Sequence, residues 1–331
     1  MLPAAIFLNL KLSKKLLIIA CIPLFFLSLF IYGNYTINQN KIFIKPFEEK
    51  FNIKVVAPNF ELKYGLTIKN IQSRLNKLIR YSEPNKDIKT LFVWPEGVFS
   101  GYSYKELLFL KEKFSQNFGK NHFILFGINR QSKDENGLYN SLIVVNKNFE
   151  IVQEYNKQKL VPFGEFLPFE KIFNKFGLKK ITEGYGSFLK GEKQNNLILE
   201  NLNILPLICY EVIFTRLIQQ SSDDTNLIVN ISEDGWFGNS IGPHQHFVKG
   251  VFRAIEHNSY LIRSANKGIT AIVNNKGEIV KELNSRETGN IELEIPLIKN
   301  ENKNKNDLIF FVLLITYIFI FYFYEKNNDT K

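Results

Sequence analysis

Sulfur is scarce in this 331-residue chain, which holds two cysteines and one methionine. Cys21 lies inside a long apolar run, so Cys209 has no disulfide partner in the soluble part, and a structural bridge is excluded. A buried inert thiol or a nucleophile remains. Histidine is scarce too, at four. His244 and His246 of "GPHQH" stand at i and i+2, which share no helix face, with no cysteine or third histidine nearby. Hydrogen bonding or helix capping is expected of them, and a metal site is not. No G-x-S-x-G occurs, which argues against a serine hydrolase. "GYGSFLKG" (Gly184 to Gly191) is glycine-rich but lacks phosphate-loop spacing and a following GK[ST], and reads as a mobile loop. The net charge is +10, but the basic residues (Lys41, Lys45, Lys179, Lys180, Lys303, Lys305) are scattered rather than striped. No nucleic-acid motif accompanies them, so no nucleic-acid partner is expected. Attraction to anionic lipid headgroups and a plainly solvated surface both fit.

Charge is missing altogether from two runs. Leu16 to Gly33 is eighteen residues and Leu308 to Tyr324 seventeen, roughly 27 and 25 Å as helices. Both read as transmembrane helices, the second closed by aromatics as interfacial belts are. A signal peptide is the alternative for the first, but the run is long for one and no A-x-A-like site follows Tyr32. Lys11, Lys14 and Lys15 precede the first span and put the N-terminus in the cytoplasm. The intervening residues would then lie outside the cytoplasmic membrane. The expected division is residues 1–40 as tail and span, 41–299 as the domain between the spans, and 300–331 as a polar linker and second span.

Between the runs, strand-like and helix-like segments alternate. "IKVVAP", "TLFVWPE", "HFILFGI", "NSLIVVN", "IVQEY", "NILPLIC", "NLIVNIS", "YLIRSAN", "TAIVNN", "EIVKEL" and "NIELEI" read as strands. Leu66 to Ile79, Ser103 to Phe118, Glu211 to Gln220 and Pro243 to His257 read as helices, and "NNKGE" as a hairpin turn. The pattern predicts a mixed, layered α/β domain. Three segments place a reactive group just after a strand, where α/β proteins build their sites: Glu96 in "WPEG", Lys157 in "YNK" and Cys209 in "ICYE". A thiol nucleophile needs a base for its proton and a cation for the oxyanion formed on acyl attack. Carboxylate, ammonium and thiol together supply that set.

"WPEG", "YNKQKLVPFGEFLP", "ICYE" and "EDGWFGNSIGPHQH" resemble the carbon–nitrogen hydrolase (nitrilase) superfamily, and within it the membrane branch of apolipoprotein N-acyltransferases. The likeness runs on through "RAIEHNSYLIRSANKGITAIVNNKGEI" and covers most of residues 50 to 295. It implies a four-layer α-β-β-α sandwich, here flanked by one N-terminal and one C-terminal transmembrane helix. Glu96 is then the general base, Cys209 the nucleophile and Lys157 the oxyanion stabiliser. Glu165 of "PFGE" lines the site, Tyr210 and Glu211 follow the nucleophile, and Trp236 is the tryptophan of "WFG". The implied reaction is ping-pong transfer of an acyl chain from a phospholipid, through a Cys209 thioester, to the N-terminal amine of a diacylglyceryl-apolipoprotein. It needs no cofactor and no metal, and its implied place is the bacterial inner membrane with the catalytic domain on the periplasmic side. The same triad would also serve a membrane-anchored amidase or nitrilase acting on a small soluble substrate. "FEKIFNKFGL" sets Phe169, Ile172, Phe173 and Phe176 at i, i+3, i+4, i+7, an apolar face that either dips into the lipid interface or packs on the sandwich. The family usually carries several membrane helices before the catalytic domain, whereas one span precedes it here. A fragment, a mis-assigned start or a shortened form is therefore expected.

Overall fold

Alternation along the strands decides the architecture. In β1 (Phe51–Ala57), Phe51, Ile53 and Val55 face one apolar layer while Val56 faces another. The same split recurs in β2 (Thr90–Val93), where Leu91 and Val93 oppose Phe92. It recurs again in β4 (Leu138–Val145), where Leu142 and Val144 oppose Ile143 and Val145. A sheet apolar on both faces must be covered on both, which a four-layer stack achieves. The computed structural model describes residues 12–39, 51–63, 65–134, 136–168, 187–193, 196–222, 224–295, 311 and 314–319.

Among these residues the remaining strands are β3 (His122–Gln131), β5 (Ile151–Asn156), β6 (Leu197–Leu199), β7 (Leu202–Ile208), β8 (Leu227–Glu233), β9 (Tyr260–Asn266), β10 (Thr270–Val273), β11 (Ile279–Leu283) and β12 (Gly289–Ile295). Two six-stranded sheets result, ordered β12-β1-β2-β3-β4-β5 and β11-β10-β9-β8-β7-β6. Each has a parallel centre, β1, β2 and β3 in one and β7, β8 and β9 in the other, with antiparallel flanks. The inner layer packs Ile53, Leu91 and Leu142 of the first sheet with Ile204, Val229 and Ile262 of the second, all fully buried. Each such side chain contributes about 1.5–3 kcal/mol.

Helices close the two outer faces. Ile71, Leu75 and Leu78 of α2 (Ile68–Ser82) cover the first sheet, together with Phe114 of α3 (Lys111–Asn117). A capping box of Thr67 and Asn70 starts α2. Leu217 and Ile218 of α4 (Thr215–Gln219) and Phe247 and Ala254 of α5 (Gly242–His257) cover the second sheet. At Gly250 a Cβ would lie 2.9 Å from Leu261 Cδ2, so α5 sits on β9 as closely as it does because that residue is glycine. The hairpin expected at "NNKGE" forms between β10 and β11, with Gly277 at φ +82°.

Some expectations need correction. The helix expected over Ser103 to Phe118 is a 3₁₀ turn, Lys105–Leu110, running into α3. That expected over Glu211 to Gln220 is a 3₁₀ turn, Cys209–Ile213, then α4, because Phe214 is extended (φ −88°, ψ 97°) and interrupts it. Residues 187–191 of the supposed mobile loop are pinned: the backbone N–H groups of Phe188, Leu189 and Gly191 donate to Glu165 O, Leu138 O and Lys157 O, each at 2.8 Å. The "FEKIFNKFGL" arm lies outside the described residues.

Helix α1 (Leu12–Gln39) is 28 residues long and contains the first apolar run, with Leu24, Phe26 and Phe30 well exposed. Over the described residues alone, no helix is long and apolar enough to cross a membrane. The expected flanking spans are therefore not established by the fold, even though the α1 backbone has the length for one. Most of the second run, Leu308 to Tyr324, lies outside the described residues.

Candidate active site

Both sheets deliver side chains to the inner layer just beyond the carboxyl ends of β2, β5 and β7. Trp94 follows β2, fully buried against Phe114, Phe118 and Phe126, with its Nε1 donating to Ser82 Oγ at 2.9 Å. That anchor fixes the exit of the strand, and Glu96 emerges two residues on. Arg74 holds the turn from behind, donating to Val98 O at 3.1 Å and Gly97 O at 3.4 Å.

Lys157 follows β5 and is 1% exposed. Its backbone N–H donates to Asn140 O at 2.9 Å, and its Nζ lies 2.7 Å from Glu165 Oε1. Glu165 Oε2 accepts from Val161 N at 2.9 Å. Asn140, on β4, ties the group together: its Nδ2 donates to Glu96 Oε1 at 2.7 Å and to Glu165 Oε1 at 2.9 Å. Glu96 Oε2 accepts a further hydrogen bond from Glu233 N at 3.1 Å. Glu96, Glu165 and Lys157 therefore form one connected cluster around a single amide.

Cys209 begins the turn after β7 in the second sheet and packs against the inner layer. Its φ is +51°, a left-handed conformation that a β-substituted residue adopts only under constraint. Burial raises its thiol, and the charge of Glu96 raises it further against the pull of Lys157, so that it is pushed up to about 12. Burial would lower the Lys157 ammonium, but the Glu165 and Glu96 carboxylates outweigh it and raise it, so the cation persists. Burial holds the Glu96 carboxyl above its ordinary range despite Lys157. The site thus holds a neutral thiol electrostatically coupled to a raised carboxyl and to a persistent positive charge. Such a set can move a proton from sulfur to oxygen as sulfur attacks an acyl carbon, and can stabilise the oxyanion formed there.

Of the other expected residues, Tyr210 and Trp236 are 40% and 50% exposed. The Tyr210 ring meets Phe214 edge-on at 6.1 Å. Glu211 is fully buried and presents nothing to a substrate. Its Oε1 accepts from Tyr155 Oη and from the backbone N–H groups of Gln158 and Lys159, and its Oε2 accepts from Ile208 N, all at 2.8–2.9 Å. It is a strut, tying the loop that carries Lys157 to the strand that presents Cys209. His246, expected to cap or hydrogen-bond, lies 2.9 Å from Asp234 Oδ1 and 3.1 Å from the Cys209 carbonyl oxygen.

Asn140, Asn230, Glu233, Asp234 and Arg263 were not anticipated. An asparagine inside a strand carries no sequence signal for a shared amide. Asp234 stood within "EDGWFG" and Arg263 within "YLIRSAN", and an arginine in a run otherwise fit for a central strand was a usable clue. It is 0% exposed, a position arginine takes only when paired.

Comparison with known proteins bears on this arrangement. The carbon–nitrogen hydrolase family model matches residues 71–299. The apolipoprotein N-acyltransferase of Rhizobium leguminosarum bv. trifolii (strain WSM2304) is 43% identical over 158 residues, 47% of this chain and 30% of that protein. The apolipoprotein N-acyltransferase of Rhodopseudomonas palustris (strain ATCC BAA-98 / CGA009) is 32% identical over 262 residues, 75% of this chain and 48% of that protein. The chain thus spans half or less of the length of these curated relatives. Among solved structures, XC1258 from Xanthomonas campestris, a CN-hydrolase superfamily protein, is similar with a TM-score of 0.54 at 14% identity, covering 74% of this chain and 90% of that one. That similarity concerns the fold. With the family model running from α2 to beyond β12, the chain belongs to the carbon–nitrogen hydrolase family.

Proposed function

We propose that the chain is an acyltransferase of the apolipoprotein N-acyltransferase type, with Cys209 as nucleophile, Glu96 as general base and Lys157 as oxyanion stabiliser. The observation that carries the reading is the cluster itself: a thiol on a left-handed elbow, electrostatically coupled to a raised carboxylate and a buried ammonium. Similarity to apolipoprotein N-acyltransferases supports an acyl chain as cargo.

Cys209 Sγ attacks the ester carbonyl of a phospholipid as Glu96 takes the thiol proton. The oxyanion forms beside Lys157. Its collapse breaks the ester bond, and the departing lysophospholipid oxygen takes the proton back from Glu96. The chain then rests on sulfur as a thioester. The N-terminal amine of an apolipoprotein attacks that carbonyl, giving its proton to Glu96, and the tetrahedral adduct expels Cys209 sulfur, which is reprotonated. Glu165 and Asn140 hold the cation and the base at their distances. The apolar run within α1, and Leu308 to Tyr324, would anchor the domain in the inner membrane with the site on its outer side, and Tyr210 and Trp236 would border the lipid-facing mouth.

The test incubates membranes containing the protein with labelled phospholipid. A hydroxylamine-sensitive adduct that Cys209→Ala abolishes, with label passing to an apolipoprotein, is the expected result. Hydrolysis of small amides without lipid labelling would indicate the amidase alternative, and absence of any adduct would reject acyl transfer.

A further inference from the structure

The carbonyl oxygen of Cys209 is held by two buried donors on the helix side of the second sheet. His246 Nε2 lies 3.1 Å from it and Asn230 Nδ2 3.3 Å. A carbonyl only accepts, so both nitrogens donate. Behind them the network closes on itself. His246 Nδ1 meets Asp234 Oδ1 at 2.9 Å, Arg263 Nη2 donates to Asp234 Oδ2 at 2.8 Å, and Arg263 Nη1 donates to Asn230 Oδ1. Ser232 Oγ adds a bond to Asp234 Oδ1 at 2.6 Å. The result is a ring of four side chains, drawn from β8, the turn after it, α5 and β9, that starts and ends on one backbone oxygen. Every member is 5% exposed or less.

Stability alone explains this ring poorly. A buried ion pair is weak evidence for a stability gain, because apolar residues of the same shape do as well. Here Arg263 Nε also finds no hydrogen-bond partner among the described residues, a further cost. What the ring does uniquely is fix a peptide plane. Turning the Cys209 carbonyl toward His246 and Asn230 fixes the peptide plane after Cys209, and with β7 holding the plane before it the residue is kept in its left-handed conformation, which sets the direction of its Cα–Cβ bond.

We propose that His246 and Asn230, braced by Asp234 and Arg263, are positioning residues that clamp the Cys209 peptide and so aim its sulfur between Glu96 and Lys157. This rests on the reading of Cys209 as nucleophile. None of the four side chains need touch substrate.

Two substitutions at His246 separate a clamp from mere filling. Gln places an amide N–H near the site of Nε2 and can still reach the carbonyl. Asn, one methylene shorter, reproduces Nδ1 and cannot. The full-length protein in detergent is treated with iodoacetamide across a range of pH, and alkylation of Cys209 is followed by peptide mass spectrometry, separately from Cys21. With the clamp intact, alkylation demands strongly alkaline pH. His246→Asn releases the elbow, shifts the alkylation profile toward the ordinary thiol range near ~8.5, and slows adduct formation from phospholipid about 100-fold. His246→Gln restores both readouts most of the way. Asn230→Ala, which removes the second donor, shifts the profile in the same direction as His246→Asn and gives an independent reading should His246→Asn not fold. Identical alkylation profiles for wild type, Asn and Gln would overturn the clamp. A wild type with the alkaline profile that forms no adduct from phospholipid would reject acyl transfer and leave the clamp standing.

Discussion

Asn140→Leu removes the amide that joins the two carboxylates while keeping the same branched heavy-atom skeleton. Asn140 Nδ2 spends one hydrogen on Glu96, at 2.7 Å, and one on Glu165, at 2.9 Å. Hydrogen bonds to charged groups contribute about 1.5–3 kcal/mol each, so the pair is worth about 3–6 kcal/mol before relaxation. The loss is not borne in full, because a buried carboxylate with one donor fewer takes up a proton instead. Glu96 is the carboxylate to follow, since burial already raises it. A loss of about 1.5–3 kcal/mol at Glu96 moves the ascending limb of the pH–rate profile upward by about one to two pH units. At a fixed pH below that limb, adduct formation slows about 10- to 100-fold and recovers as the medium is made more alkaline. The assay is the initial rate of Cys209 acylation by labelled phospholipid between pH 5 and 9, alongside a thermal melt. An unmoved limb with a wild-type rate would show that Asn140 does not govern Glu96, and the role assigned to the shared amide would be wrong.

Glu233, whose backbone N–H meets Glu96, has a carboxyl raised to about 8, by burial first, with the nearby Glu96 and Asp234 charges adding to it. The folded chain therefore holds a proton that the unfolded chain releases near its ordinary 4.5. The associated stability is whole below that pH and drains away as the pH rises through 8, by up to about 5 kcal/mol. Glu233→Gln should flatten the decline, read from urea midpoints at pH 5 and pH 8.5. Asp234 behaves oppositely: burial would raise it, but Arg263 and His246 outweigh this and hold it at about 2. Its contribution of about 2 kcal/mol is present above pH 3.8 and lost as the pH falls through 2, so Asp234→Asn should weaken acid resistance in melts at pH 2 to 4. Gly191→Ala drives a Cβ into Asn156 O; the segment must lift away from Lys157, and adduct formation should drop while Gly33→Ala, where nothing among the described residues lies within 4 Å, leaves it unchanged. Glu211→Ala strands the donors gathered on one carboxylate and should lower unfolding free energy by about 3–5 kcal/mol in urea titration, with loss of acylation.

The layered fold was legible because strands such as Ile53 to Ala57 and Leu91 to Trp94 are apolar on both faces, and only a sheet covered on both sides tolerates that. Glu96, Lys157 and Cys209 were conspicuous because each follows such a strand. Helix continuity was harder to read. The apolar spacing from Glu211 to Gln220 suits a helix, but anchoring Glu211 under Ile208 tightens the first turn and Phe214 breaks the rest. The shared amide of Asn140 and the convergence of Asp234, His246 and Arg263 on one another are illegible for a different reason, even though His246 reads as a hydrogen-bonding residue. Their meaning comes from convergence across strands far apart along the chain, and no local pattern encodes a shared partner.

Glu96 and Lys157 hang from one sheet and Cys209 from the other, so the thickness of the apolar layer between them is a chemical dimension as well as a structural one. On the proposed mechanism, shaving a methyl from Val229 or Ile262 in that layer would alter the distance a proton must cross. On the same mechanism, a chain with a single sheet assembled owns either the sulfur or its partners, never both, and would form no acyl adduct until the sheets dock. Acyl transfer as proposed would therefore require the closure of the two apolar surfaces.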